Sequence, residues 1–309
     1  FVFIGYPPIE TAFILTLWLK KRNIFSFIDI KDLWPEIFLE AIPKKLSFIG
    51  KYFLFPYYKL AEYSFKNASA ILGPSDEYIN WALDFCKRPR NKYDQKLPLV
   101  SAPIKLSNKE IVETKLWWKR KGIDLNSKKR FCFIGNINNS YNFHFLNLLA
   151  RKFEKEKIDC EFVICGKGDK LPFLKSIFGG LKNTIFPGWI NHKQITTLME
   201  NSIGSIAPYK DIPNFNLNLT NKFIDSFSNK LPVITSLKGD IKDKLYKEKV
   251  CLFCDDTLES WEKQIRILLE NEALQKEMSN NCERLYLREF TYKVVYKNFV
   301  KRMEKINNH

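Results

Sequence analysis

Loops that follow short apolar runs hold most of the residues able to do chemistry in this chain. The apolar runs predict buried strands, and their alternation with helical segments predicts a parallel sheet. An open parallel sheet binds its ligand outside the carboxyl ends of its strands, so the residues directly after each strand are the candidates. These candidate loops are Gly5–Thr11, Asp29–Trp34, Gly135–Ser140, Gly166–Asp169, Pro208–Asn221 and Ser236–Asp240.

Three charged residues, Asp29, Lys31 and Asp32, crowd one of these loops. Burying three charges without partners is costly, so we expect a mutually paired cluster beside a bound ligand. Asp32 and Lys31 are its predicted functional members. The alternative is a loop ion pair that binds nothing, with Trp34 and Pro35 as packing residues.

The chain carries a strong positive charge: 50 Lys and Arg against 34 Asp and Glu give +16 over 309 residues. This positive charge is compatible with binding to nucleic acid, to an anionic membrane surface or to phosphate ligands. It is equally compatible with a solvated lysine-rich surface that has no partner. Since no RNP-like, zinc-finger or helix-turn-helix pattern is present, nucleic acid is not an expected partner.

An aromatic and basic stretch, residues 46–63, supports the membrane interpretation separately. Its rings are interleaved with Lys51 and Lys59 on a predicted helix that Pro56 interrupts. Rings and lysines together suit a membrane interface. A core helix with exposed lysines is an equal alternative.

Apolar runs and cysteines exclude several other classes of protein. The best apolar run, Thr11–Leu19, is too short for a membrane-spanning helix, and no secretory signal is recognisable. Seven scattered cysteines, mostly inside apolar runs, predict reduced cytosolic thiols packed as small hydrophobes. Cys251 and Cys254 are the one close pair, and with three histidines in the chain a zinc site there is disfavoured. We expect no metal and no other cofactor.

Strands and helices alternate along the whole chain and predict two α/β units. The expected boundaries are 1–107 for the first domain, 108–129 for a basic linker, 130–289 for the second domain and 290–309 for a last helix. Leu97–Pro103 is predicted as a strand, and residues 272–306 as one long helix. Because residues 1–107 supply too few strands for a doubly wound sheet, we expect the missing ones upstream of Phe1.

Six segments, taken in order, resemble the retaining glycosyltransferases of family four, which include bacterial enzymes of cell-surface polysaccharide synthesis. They are Phe3–Thr11, Asp29–Glu36, Phe133–Asn136, Gly166–Gly168, Phe186–Ile190 and the most diagnostic one, Asn221–Ile234. Each motif alone is weak, but the ordered set covers nearly the whole chain.

The resemblance implies a GT-B fold, in which two Rossmann-like doubly wound domains face a cleft. It implies an incomplete N-terminal domain on the acceptor side and a C-terminal domain that binds most of the nucleotide-sugar. Residues 290–309 would form a helix that crosses back to the first domain.

The resemblance also places a ribose-binding acid. Asp225 aligns with the second acid of the family's paired-glutamate motif and would accept hydrogen bonds from both ribose hydroxyls. A helix-surface aspartate is the alternative. The first acid of the motif falls at Leu217, which cannot bind a sugar hydroxyl. Either amides of Asn214–Asn221 make that contact or the sugar site is altered.

Other residues complete the predicted site. Lys222, with the amides of a helix N-terminus, suits a pyrophosphate, unless it is a solvated lysine. Trp189 either stacks on the nucleobase or fills core, and Gly166 most simply shapes a turn. The predicted donor-binding set is Gly135, Asn136, Gly166, Gly188, Trp189, Asn221, Lys222, Asp225 and Gly239, and the predicted catalytic set is Asp32, Lys31 and Asp225.

The resemblance thus implies an enzyme that moves a sugar from a nucleotide-diphosphate donor, expected to be UDP-linked, to a lipid-linked or polysaccharide acceptor with retention. No residue is a convincing general base, which fits the resemblance, because in the retaining family the leaving phosphate itself is thought to assist the attack. We expect a cytoplasmic protein, peripheral on the inner face of the plasma membrane. One alternative is a nucleotide-sugar epimerase on the same fold. The other is a degenerate nucleotide-binding subunit, which is favoured by Leu217 and by the lack of lysine and arginine in the loop that begins at Gly135.

Overall fold

A computed structural model describes residues 1–43, 46–126 and 129–307. The chain divides into two compact units. The first comprises Phe1–Leu99, Ile212–Leu219 and the residues from Lys301 onward, and the second comprises Val100–Asp211 and Thr220–Val300.

Strands and helices alternate in both units. The strands are β1 Val2–Tyr6, β2 Ser26–Ile30, β3 Ala70–Gly73, β4 Gln95–Lys96, β5 Lys129–Ile134, β6 Cys160–Cys165, β7 Thr184–Gly188, β8 Gly204–Ala207, β9 Val233–Thr235 and β10 Cys251–Phe253. The helices are α1 Ile9–Lys21, α2 Ser47–Asn67, α3 Asp76–Cys86, α4 Asn108–Arg120, α5 His144–Lys155, α6 Leu171–Ile177, α7 His192–Glu200, α8 Pro213–Asn216, α9 Asn221–Ser228, α10 Asp240–Lys247, α11 Leu258–Glu270, α12 Glu272–Glu289 and α13 Tyr292–Asn307, with a 3-10 helix at Glu36–Ala41. Within these ranges no helix is long and apolar enough to cross a membrane.

The first unit is built on a four-stranded parallel sheet with the strand order β1-β2-β3-β4. Every residue of β2 and β3 is buried, including Ser26 and Asp29 of β2, as expected for the inner strands of a parallel sheet covered on both faces. The Ser75 hydroxyl caps α3 by accepting a hydrogen bond from the Tyr78 amide.

Two predicted elements of the chain are wrong. The predicted strand Leu97–Pro103 has no regular structure, because the ladder beside β3 ends after the two residues of β4. The predicted single helix over 272–306 is two helices that break at Phe290 and Thr291. Phe290 is buried, and the Thr291 hydroxyl accepts from the Val294 amide to start α13.

The second unit contains a six-stranded parallel sheet in the order β10-β9-β8-β5-β6-β7. The chain runs outward from β5 through β6 to β7, returns to β8 on the other side of β5, and continues outward to β10. The direction of winding therefore reverses between β5 and β8. In open α/β sheets the crevice at this reversal, outside the carboxyl ends of the strands, is where ligands bind.

A buried ion pair fastens the opposite end of β5. The Arg130 side chain is fully buried, and its guanidinium pairs with Glu161 on the neighbouring strand β6. The same guanidinium donates to the carbonyls of Leu125, Asn201 and Asp124 at 2.9, 3.0 and 2.7 Å. Such a fully partnered guanidinium ties β5 to the connections around it.

Replacing Arg130 with alanine should therefore leave a buried carboxylate and three carbonyls without partners. We expect a loss of about 3–5 kcal/mol in the free energy of unfolding, measured by urea denaturation. Arg90→Ala, which removes a half-exposed pair with Asp76, is the matched control and should cost under about 1 kcal/mol. Equal losses in the two variants would contradict this account of β5.

Candidate functional site

Three glycine-bearing loops meet at the carboxyl edge of the six-stranded sheet. The Gly135 amide donates to the Cys165 carbonyl at 3.1 Å, and the Gly166 amide donates to the Gly188 carbonyl at 2.8 Å. A Cβ on Gly166, where φ is +139°, would lie 1.8 Å from the Gly135 carbonyl oxygen. Glycine is therefore required there for loop packing, as the turn-shaping interpretation of Gly166 predicts.

Lys222 extends from the first turn of α9 to the end of β5. Its Nζ donates to the carbonyl of Ile134 and lies 3.8 Å from the ring centroid of Phe133 and 5.3 Å from that of Tyr141. A Cβ on Gly135 would come within 2.8 Å of this nitrogen, so the absence of a side chain there leaves it room. The predicted alternative of a solvated lysine is wrong, because Lys222 is only 8% exposed.

The electrostatics of Lys222 are those of a cation that lacks an anion. No carboxylate lies within ion-pair distance of its ammonium among the described side chains. Burial lowers the pKa of Lys222 to about 7, and Cys132 and Asp225 oppose this only in part. An anion at this place would therefore restore the charge and gain a strong interaction.

Asp225 lies one turn further along α9. Burial raises the pKa of its carboxyl, while a hydrogen bond from Ser101 and the nearby Lys222 and His192 act in the opposite direction. The residue is neither fully buried nor on the open helix surface, since its side chain is half-buried.

The N-terminus of α9 is fixed from the neighbouring loop. The hydroxyls of Tyr209 and Thr220 are 2.7 Å apart, and Thr220 is the residue before the helix. The Lys210 amide donates to the Ser140 carbonyl at 3.0 Å, which joins the loop after β8 to the loop after β5. Sequence reasoning placed Tyr209 in the candidate loop Pro208–Asn221 without assigning it a role, and it missed Ser101, which lies in no motif.

Four predicted donor-binding residues at this edge of the sheet are more exposed to solvent than Lys222 and Asp225. Asn136 and Asn221 are exposed, and Gly239, at φ +82°, directly precedes α10. Trp189 is 66% exposed after β7, so the alternative in which it fills core is wrong. An exposed indole in a loop at the carboxyl edge is available for stacking.

In the first unit, the charged loop after β2 is organised differently from the prediction. Lys31 pairs with Asp29 at 2.8 Å, whereas Asp32 takes part in no ion pair among the described side chains. Asp29 is 5% exposed, and its Oδ1 has no hydrogen-bond partner among those side chains. The paired cluster of three is thus a pair, with Asp29 as its buried member.

Leu217 has a packing role. It packs against the apolar core of the first unit, and its carbonyl accepts a hydrogen bond from the Ser75 hydroxyl at 2.7 Å. An apolar side chain is what this position requires, since the segment Ile212–Leu219 belongs to the first unit.

The cysteines are all buried and form no disulfides, including Cys251 and Cys254. Within residues 1–43, 46–126 and 129–307, no three His, Cys, Asp or Glu side chains converge as metal ligands.

Comparisons with solved structures show the fold. Sucrose-phosphate synthase from Thermosynechococcus elongatus superposes with a TM-score of 0.73 at 10% identity, covering 99% of this chain and 73% of that one. Anabaena HepE in complex with UDP-glucose gives 0.72 at 11% identity, covering 98% and 78%. WaaG, a glycosyltransferase involved in lipopolysaccharide biosynthesis, gives 0.66 at 12% identity, covering 94% and 80%. The expected GT-B fold with two Rossmann-like units is confirmed.

Sequence comparison identifies the family. No curated protein gives a significant match to the chain. The family model of glycosyl transferases group 1 matches residues 117–285, which hold the whole carboxyl edge described above. Because this match spans more than half of the chain, the protein belongs to the glycosyl transferases group 1 family and is a glycosyltransferase.

Proposed function

We propose that the protein is a retaining transferase of the family-four type that uses a UDP-linked sugar and acts on a lipid-linked or polysaccharide acceptor. The observation that carries the proposal is Lys222, a buried cation without an anion at the winding reversal of the sheet. Anabaena HepE has been solved in complex with UDP and with UDP-glucose, which supports the choice of nucleotide.

The diphosphate lies against Lys222 in this proposal. The lysine ammonium supplies charge, the amides at the start of α9 supply donors beside Asn221, and Gly135 lets the backbone of its loop approach. Neutral amides such as Asn136 add hydrogen bonds. These groups stabilise the negative charge that develops on the departing diphosphate, which is where catalysis by positioning has its largest effect.

The rest of the nucleotide extends over the same edge. The Asp225 carboxylate accepts hydrogen bonds from the two ribose hydroxyls, and Trp189 stacks on the base beside Gly188. Gly239 borders the sugar side. The leaving phosphate itself assists attack by the acceptor, so the reaction needs no side chain as general base. No metal or other cofactor is part of this proposal.

The charged loop after β2 is the proposed contribution of the first unit. Lys31 and Asp32 remain the proposed residues for reaction at the acceptor side, and Asp29 holds Lys31 in place through their 2.8 Å ion pair. Asp32 is half-buried, and it forms no ion pair among the described side chains. Its carboxylate is therefore able to accept a hydrogen bond from a hydroxyl of the sugar acceptor.

The lipid-linked acceptor is proposed together with an anionic membrane surface. The first half of α2 exposes Phe48, Tyr52 and Phe53 by 68, 79 and 74%. Such a contiguous aromatic surface is unusual on a protein that contacts only water. With Lys51 and Lys59 on the same helix and a net charge of +16, an anionic bilayer is the complementary surface.

Asp225→Ala tests the proposed site. Removing a charged hydrogen-bond acceptor should weaken UDP binding about tenfold or more, measured by titration calorimetry, and abolish release of UDP from a UDP-sugar. Asp243→Ala, on the next helix, is the control and should bind UDP normally. Unchanged UDP binding by Asp225→Ala would contradict the proposal, and binding without any turnover by the natural chain would favour the non-catalytic rival.

The affinity for UDP should depend on pH through Lys222. Since the pKa of Lys222 is about 7 in the free protein and rises when the diphosphate binds, affinity should be full below pH 7 and fall by up to tenfold per unit above it. Titrations between pH 7 and 9 avoid the last phosphate ionisation, which lies near 6.

The matched variant is Lys222→Arg, whose charge persists over this range, so its affinity should be nearly independent of pH. Lys222→Met should bind weakly at every pH. An equal pH dependence in the natural chain and in Lys222→Met would contradict the role of this lysine.

Membrane binding should depend on the exposed rings of α2. The triple variant Phe48→Ser, Tyr52→Ser, Phe53→Ser should lose cosedimentation with phosphatidylglycerol vesicles, which the natural chain should show far more than with phosphatidylcholine vesicles. A control that replaces two exposed rings of the second unit, Phe173→Ser with Tyr246→Ser, should keep it. Undiminished vesicle binding by the triple variant would contradict the membrane proposal.

A further inference from the structure

Ser101 joins two helices that are far apart in sequence. It lies in the irregular segment between β4 and α4. Its carbonyl accepts a 2.7 Å hydrogen bond from the Tyr286 hydroxyl on α12, and its side chain hydrogen-bonds to Asp225 on α9. The contacts run in one chain, from the phenol through the serine to the carboxylate.

We propose that Ser101, held by Tyr286, is a positioning residue that fixes the Asp225 carboxylate in the orientation that receives the two ribose hydroxyls. This inference rests on the proposed function, because it assigns a support to the acid that the proposed nucleotide contacts. Ser101 itself touches no part of the nucleotide.

The geometry explains why such a support is needed. Asp225 is the fifth residue of an eight-residue helix, and its side chain rotates about two bonds unless a partner holds it. A fixed carboxylate binds two hydroxyls at once without losing that freedom on binding, which improves affinity. A hydrogen bond from a hydroxyl to one carboxylate oxygen leaves further lone pairs free for the ribose.

Tyr286 explains how a residue without regular structure can act as a support. The segment around Ser101 has no ladder or helix partner, so its backbone position depends on contacts such as this one. Tyr286 is 7% exposed, and burial raises its pKa, so the phenol keeps its proton and donates it to the Ser101 carbonyl. The serine hydroxyl is thereby presented to α9.

The experiment compares UDP with 2′,3′-dideoxy-UDP by calorimetry on the full chain. The natural chain should prefer UDP, and Asp225→Ala should remove that preference. Ser101→Ala should lose roughly tenfold in affinity for UDP and little for the dideoxy analogue. Ser101→Thr, which keeps the hydroxyl, should restore the preference, and Tyr286→Phe should fall between the natural chain and Ser101→Ala.

A pH profile gives a readout that a purely structural role would not change. Burial raises the pKa of Asp225, and the hydrogen bond from Ser101 lowers it. Lys222 and His192 are the other charged or titratable groups that act on this carboxyl, and both also lower its pKa. Because the carboxylate form receives the ribose, the preference for UDP is lost as pH falls. In Ser101→Ala that loss should occur at higher pH.

The outcomes separate the two proposals. If the natural chain shows no preference, or Asp225→Ala retains it, the proposed ribose role of Asp225 fails. If both behave as expected but Ser101→Ala keeps the full preference and the natural pH profile, the inference is overturned. Equal losses for UDP and its dideoxy analogue in Ser101→Ala also overturn it, since they indicate a structural role alone.

Discussion

A buried ammonium without a matching carboxylate is the constraint on which the rest of the site depends. Taking an unpaired charge out of water is expensive, and proteins answer by pairing it or by shifting its pKa. Lys222 shows the second response, with a pKa of about 7, and its only hydrogen-bond acceptor among the described atoms is the carbonyl of Ile134. The fold therefore retains an unfavourable arrangement that a bound anion would relieve.

The neighbouring structure keeps this arrangement in place. Strand β5 runs directly beneath it and is anchored at its far end by Arg130 and Glu161. The glycine at 166 allows its loop to pack against the Gly135 carbonyl at a distance that no side chain permits, and the glycine at 135 leaves room for the Lys222 ammonium. The ammonium is therefore held over a rigid edge, at the reversal of winding where a parallel sheet leaves room for a ligand.

Much of this could be predicted from the sequence, because short apolar runs and glycine-bearing turns have local causes. Nearly every strand of the second unit and the helix carrying Lys222 and Asp225 follow from such patterns. The failures have non-local causes. The predicted strand at Leu97–Pro103 lacks a partner ladder, and the helix break at Phe290 follows from burial of that ring.

The site residues divide in the same way. The burial of Lys222 could not be predicted, because it depends on the rings of Phe133 and Tyr141, which come from another element. Asp29, and not Asp32, pairs with Lys31, since only Asp29 lies within the buried strand β2. Ser101 carries no sequence signal, and Leu217 is explained by the core of the first unit, which the sequence does not reveal at that position.

A crystal structure of the protein with UDP bound tests the central claim most directly. The account predicts phosphate oxygens within hydrogen-bond distance of Lys222 Nζ and of the amides at the start of α9, with both ribose hydroxyls on the Asp225 carboxylate. UDP bound elsewhere, or a diphosphate that leaves Lys222 bonded only to the Ile134 carbonyl, would contradict it.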